Sequence, residues 1–174
     1  MPGIRRHGAH RYTLALAPMA AGTAADTQAE AITFDAFANG AATAGATNTI
    51  DPAQDQVTEM CLVSYVTFAG QATNFASFRV THTNAAGTVV NRIMVTFDAA
   101  GKTLTANVPV NYAVASGATA TGAGTATLTV VTGTALPWTL SPGDTITFDR
   151  LSNNATGQAT NAASITFLTQ SKGA

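Results

Sequence analysis

The sequence predicts an all-β protein: an antiparallel two-sheet sandwich, jelly-roll-like, of about eight strands, with an extended N-terminal arm. Three observations predict it. From residue 31 onward apolar residues recur at every second position in short runs, the period of a strand rather than a helix. Turn dipeptides and Ala/Thr/Gly/Asn loops of mixed length punctuate those runs. Threonine supplies 30 of the 174 residues, and a β-branched side chain with a hydroxyl suits the water-facing side of a sheet.

The elements follow in order. Ile32 and Phe34 open the first run, and Asn39-Gly40 is a turn. Residues 41–55, rich in small residues with Pro52, form a loop. Val57–Phe68 places Met60, Leu62, Val66 and Phe68 on one face, with Ser64 interrupting them. Phe78 and Val80 mark a strand over 75–83. Asn84-Ala-Ala-Gly87 is a turn leading to Val89–Phe97, where Ile93, Val95 and Phe97 alternate with Arg92, Met94 and Thr96. A second turn of the same form, Asp98-Ala-Ala-Gly101, leads to the clearest alternation in the chain: Leu104, Ala106, Val108, Val110, Tyr112 and Val114. Pro109 lacks a backbone donor and places that strand at an edge or a bend. The two turns make a three-strand meander over about 75–114. Strands at 126–131, 145–148 and 165–167 complete the set. Between the first two of these lies the turn-rich crossing Leu136-Pro-Trp-Thr-Leu-Ser-Pro-Gly143.

The amino end reads differently. Arg5, Arg6 and Arg11 occur there without an acid, and Tyr12, Leu14 and Leu16 alternate with Thr13, Ala15 and Ala17. An extended chain puts those three large groups on one face. Pro18 interrupts the apolar stretch, which speaks against a secretory signal. Residues 1–25 are therefore read as an extended arm held by a partner, and 26–174 as one β-sandwich domain, a size suited to a single core. Charge follows the same division. The arm carries +3, residues 26–60 carry six acids and no base, and 61–174 carry +2. The acidic segment is either a solvated loop region or a groove for the arm of a neighbouring copy.

Composition excludes several classes. Net charge is −1 and only 10% of residues are charged, so a phosphate-neutralising surface for nucleic acid is not expected. No apolar run approaches the ~20 residues that span a bilayer, so no membrane partner is expected. One cysteine, Cys61, allows no intrachain disulfide, and it reads as a small, at least half-buried hydrophobe.

No catalytic or metal constellation stands out. A cupin-type site needs a His-x-His, but His82 is followed by Thr83 and Asn84, and no later histidine exists. His82 is expected to be a partly exposed strand residue. No G-x-S-x-G elbow and no phosphate loop are present. Asp144 and Asp149 bracket a strand rather than pairing as acid and base. Trp138 beside Pro137 reads as a packing lid over the end of the sandwich, ahead of a sugar platform. No cofactor, metal ligand or catalytic residue is expected, and the protein is read as a non-enzyme.

Three features together resemble a bacteriophage capsid decoration (cement) protein. They are the basic alternating segment from Arg5-Arg6 to Leu16, the Ala/Thr/Gly-rich β body, and Leu140-Ser-Pro-Gly-Asp-Thr-Ile-Thr-Phe148 followed by Ile165-Thr-Phe167. The resemblance implies a non-enzymatic virion protein on the outer capsid surface that bridges neighbouring capsid subunits, with the major capsid protein as partner and a homotrimer as the favoured assembly. On that reading Arg5, Arg6 and Arg11 pair with shell carboxylates, while Tyr12, Leu14 and Leu16 fill pockets on the shell. The alternatives are a phage fibre, spike or tail component that binds a host-surface receptor, and a secreted carbohydrate-binding module.

Overall fold

The computed structural model describes residues 10–18, 29–36, 48–50, 55–73, 75–112, 119–120, 126–152 and 163–171. In chain order its strands are β1 (His10–Leu16), β2 (Ala29–Ala36), β3 (Asn48–Ile50), β4 (Asp55–Ser64), β5 (Phe68–Ala69), β6 (Ala76–Thr83), β7 (Val89–Thr96), β8 (Thr103–Leu104), β9 (Val110–Asn111), β10 (Thr119–Ala120), β11 (Ala126–Thr132), β12 (Trp138–Thr139), β13 (Asp144–Ser152) and β14 (Ala163–Ser171). The described residues contain no helix.

Two sheets pack face to face as a β-sandwich. One has the order β1-β14-β4, with β12 and β9 both pairing to the far side of β4. The other has the order β10-β11-β7-β6-β13-β2-β3. Its pairings are antiparallel except for the short parallel contact of β3 with β2. A separate two-strand piece joins β5 to β8.

Among the described residues eight strands are long: β1, β2, β4, β6, β7, β11, β13 and β14. Counted along the chain, the first pairs with the eighth and the eighth with the third. The second pairs with the seventh, the seventh with the fourth, and the fourth with the fifth. This nesting is the strand order of a jelly roll. The sixth long strand departs from it. β11 lies beside β7, and the place beside β4 goes instead to β12 and β9. The chain changes sheets between Gly133 and Trp138, through a cis Leu136–Pro137 bond.

The core lies between the inner faces. Tyr12, Leu14, Leu16, Val57, Met60, Leu62, Ile165 and Phe167 come from one sheet, and meet Ile32, Phe34, Phe78, Val80, Ile93, Val95, Leu128, Ile146 and Phe148 from the other. Tyr12 stacks on Phe167 with ring centroids 5.3 Å apart and meets Phe34 edge-on at 5.5 Å. Val57 and Met60 both face inward although three positions apart. A register shift makes this possible: Leu168 pairs with Glu59 and Thr169 with Val57, leaving Thr58 as the extra residue of a bulge.

Four sequence expectations change. Residues 10–16 are not an arm standing off the body. They form an edge strand, β1, in register with β14 from His10↔Thr169 to Leu16↔Ala163. The apolar alternation that suggested pockets on a partner serves the chain's own core, where Tyr12, Leu14 and Leu16 are buried. The clearest alternation, 104–114, is not one strand either over its described residues, 104–112; Val114 lies outside them. Asn107 has φ 59, the Val108 amide donates back to the Thr105 carbonyl at 3.2 Å, and Pro109 has no N–H to give. The segment turns there, so the expected three-strand meander reduces to the β6–β7 hairpin, and the chain crosses to β4. Val66 is exposed because β4 ends at Ser64, whose hydroxyl donates to the Val66 carbonyl at 2.8 Å. Finally, β13 and β14 each run nine residues, well beyond their apolar centres.

Candidate functional site

Among the described residues a polar cluster lies inside one end of the sandwich, where the β6–β7 turn meets the β11–β12 and β12–β13 connections. Each connection has a local cause. Asn84-Ala-Ala-Gly87 closes with the Gly87 amide donating to the Asn84 carbonyl at 2.8 Å, and Gly87 sits at φ 82. Asn84 Oδ1 accepts the amides of Ala86 and Thr88, the side-chain turn that favours asparagine at this position. Gly133 at φ 70 and Gly143 at φ 80 turn the other two connections.

His82, Asn91, Trp138 and Asp144 converge beneath these turns, all buried. Asn91 Oδ1 accepts the Thr134 amide at 3.1 Å and the Thr134 hydroxyl at 3.4 Å. That fixes the side-chain amide, so Asn91 Nδ2 faces His82 Nδ1 at 3.0 Å and donates to it. His82 Nε2 then carries the proton and donates to Asp144 Oδ2 at 2.7 Å. The same carboxylate oxygen accepts the Ser141 amide at 2.9 Å. Trp138 stacks on the imidazole at 6.0 Å and donates its indole N–H to the Thr134 carbonyl at 2.9 Å. The cluster ties β6, β7, β12 and β13 together through satisfied hydrogen bonds.

This geometry defines what the cluster can do. Both imidazole nitrogens are engaged, so His82 offers no lone pair to a metal or a substrate proton. Over it lies an open depression of about 390 Å³, lined in part by Ala85, Val90, Thr139 and Pro142. Val90 and Val131 are among the exposed large apolar residues. Among the described residues no group of three or more His, Cys, Asp or Glu could hold a metal ion.

A second network runs along β6 and β13. Arg79 and Asp149 are register partners, joined by Nε–Oδ1 at 2.9 Å and Nη2–Oδ2 at 2.6 Å. Tyr112 is buried and donates its hydroxyl to the Phe78 carbonyl at 3.1 Å. Burial, with the Asp149 charge adding to it, pushes the Tyr112 phenol well above the ordinary tyrosine value. Arg150, also on β13, is fully buried.

The sheets' polar faces are laddered by hydroxyls. Thr13 meets Thr166 at 3.0 Å, Thr33 meets Thr145 at 3.3 Å, and Ser77 meets Thr96 at 3.0 Å. Each is a directly opposed cross-strand pair.

The expected site residues separate into three sets. Arg5 and Arg6 lie outside the described residues. Arg11 is exposed on β1. Tyr12, Leu14 and Leu16 belong to the core. Of the six acids in 26–60, Glu59 alone has a described side chain, and it is exposed. Trp138 is only 1% exposed, so it packs as a lid and cannot serve as a sugar platform. His82, expected to be partly exposed, is buried. The partners that bury it, Asn91 and Asp144, lie 9 and 62 residues away, and no local motif signals the contact. Cys61 is half-buried, as its strand position suggested.

Comparison with known proteins finds no matching family model, no matching curated protein and no matching solved structure. Among the described residues no helix is long and apolar enough to cross a membrane.

Proposed function

We propose that the chain is a structural protein of a bacteriophage particle, a decoration protein that sits on the outer surface of the head and bridges neighbouring capsid subunits. The observation that supports this reading is a jelly-roll body whose side-chain chemistry is turned inward. Its described histidine, His82, is saturated by its own hydrogen bonds, and hydroxyl ladders run along its outer faces among few charges, such as Arg11 and Glu59. With 10% of residues charged and a net charge of −1, such faces carry little charge to repel a surrounding protein lattice. The basic residues at the amino end supply attachment, Arg5 and Arg6 pairing with carboxylates of the major capsid protein. Tyr12, Leu14 and Leu16 have a different task in this scheme. They root the basic segment in the body through β1, so that force on the segment is carried by the β1–β14 ladder. Many copies on one closed shell let small energies per contact accumulate.

The test is co-sedimentation of the full chain with assembled heads, comparing wild type with Arg5→Glu/Arg6→Glu. The wild type should saturate the heads, and the double variant should lose occupancy at least tenfold with its melting temperature unchanged. Undiminished occupancy by the variant refutes the attachment route, and no wild-type binding refutes the function.

A further inference from the structure

We propose that β1 pairs edge to edge with β1 of a second copy, antiparallel about a twofold axis at Thr13, joining two sandwiches through one continuous sheet. The inference stands apart from the phage reading and starts from the sheet edges. Among the described residues the first sheet ends on β1 at one side and on β12 and β9 at the other, while the second ends on β10 and β3. β9, β10 and β12 have two residues each and β3 has three. Short edge pieces of this kind give a foreign strand little to pair with. β1 is different: seven residues, paired with β14 without a register shift. Of the usual devices that protect an edge it has no proline and no bulge, and its one formal charge, Arg11, lies near its start. Pro18, two residues past its end, lacks an N–H and stops the ladder there.

The sequence of β1 is complementary to itself. With the axis at Thr13, Tyr12 of each copy faces Leu14 of the other, and Arg11 faces Ala15. Inward residues meet inward residues, so the core faces of both copies continue across the join. Thr13 meets its own counterpart, the pairing it already makes with Thr166 on its other side. The two Arg11 side chains are offset by four positions, about 14 Å along the strands. That exceeds the Debye length of about 10 Å at 0.1 M salt, so their repulsion is screened. The outward side chains Arg11, Thr13 and Ala15 are exposed in the single copy, and a net charge of −1 puts no barrier between copies. The contact is isologous and closes on itself, so it yields a dimer rather than a filament or the trimer that the capsid resemblance implies.

The experiment is sedimentation equilibrium of the full chain over a wide concentration series, beside Thr13→Lys and the double variant Cys61→Ser/Thr13→Cys. The wild type should run as a dimer of twice 17.6 kDa. Thr13→Lys, which sets two ammonium groups against each other at the axis, should weaken the dimer at least a hundredfold while keeping the wild-type circular dichroism. The cysteine variant should cross-link to itself under mild oxidation, whereas Cys61→Ser/Ala15→Cys should not, because Ala15 lies opposite Arg11. A wild-type monomer or trimer, a dimer indifferent to Thr13→Lys, or equal cross-linking at positions 13 and 15 would overturn the proposal. If Thr13→Lys does not fold, the cross-linking pair decides alone.

Discussion

Asn91 holds His82 in a single tautomer: its Nδ2 donates to His82 Nδ1 across 3.0 Å, while its Oδ1 is occupied by Thr134. The imidazole therefore bridges Asn91 and Asp144 as a connector between β6, β7 and β13, and the end of the sandwich is fixed by direction as well as by burial.

Replacing Asn91 separates these roles. Asn91→Ala leaves His82 Nδ1 and the Thr134 amide without their partner and should cost about 2–4 kcal/mol, the range for buried groups left unsatisfied. Asn91→Asp should behave differently. Its carboxylate still accepts from Thr134 but has no donor for Nδ1, so it should recover at most the Thr134 part of the loss and stay below wild type. Urea midpoints of the two variants and the wild type measure this. A wild-type midpoint for Asn91→Asp would show that Nδ1 is not the acceptor.

Tyr112 predicts an alkaline limit. Its phenol is raised in the folded protein by burial and by Asp149, while the unfolded phenol ionises near 10. A proton is thus held by the native state and lost by the unfolded one over the interval between those values. Stability is full below about 10 and falls above it, by up to about 1.4 kcal/mol per pH unit for one group. Tyr112→Phe should lose about 1 kcal/mol at neutral pH with the bond to Phe78 and show a flatter decline above pH 10. Denaturant unfolding at pH 8, 10 and 11 gives the comparison, and parallel curves for the two proteins would contradict it.

Much of the fold is written in local patterns. The β6–β7 hairpin follows from Asn84-Ala-Ala-Gly87 and from two inward rows, Phe78/Val80 and Ile93/Val95. The jelly-roll class follows from short alternating runs between mixed loops. Residues 104–114 misled because alternation records only which side chains are apolar. Leu104, Val110 and Tyr112 are indeed buried, but the backbone reaches those positions through a left-handed Asn107 and not along one strand. β1 misled in the opposite sense. Its alternation is a true strand signal, but the sequence does not say whose sheet receives it, and β14 lies about 150 residues away. The polar cluster was illegible for the same reason: His82, Asn91, Thr134 and Asp144 carry no shared spacing, and only the topology brings them together.

Cys61 gives a prediction about reactivity. Burial raises its thiol above the ordinary value, the Glu59 charge raises it further, and Arg11 opposes both. The reactive thiolate is correspondingly scarce near neutral pH. Alkylation by iodoacetamide at pH 7.5 should run several-fold slower in the folded protein than in urea. Glu59→Gln should speed the folded reaction and Arg11→Ala should slow it. A folded rate equal to the unfolded rate would rule out both burial and charge as controls.

Three glycines separate backbone strain from collision. A Cβ on Gly87 would meet nothing within 4 Å, so Gly87→Ala carries only the cost of its φ of 82, about 1–2 kcal/mol. A Cβ on Gly133 would lie 2.3 Å from both Asn91 Oδ1 and the Val90 carbonyl oxygen. Gly133→Ala must therefore move either the β7 backbone or the amide that orients His82, in addition to carrying the strain of its own φ of 70. Gly70 tests collision by itself. Its Cβ would lie 2.3–2.6 Å from three carbonyl oxygens, those of Phe97, Ala99 and Lys102, and its φ is not left-handed. Gly133→Ala and Gly70→Ala should each lose more than about 3 kcal/mol, in the range of severe core substitutions. Only Gly133→Ala should also disturb the imidazole, seen as a changed nitrogen-15 chemical shift at His82 Nδ1. Unequal losses at 133 and 70 would be tolerable, but a Gly133→Ala variant as mild as Gly87→Ala would mean that the β11–β12 crossing does not pack against Asn91 as described.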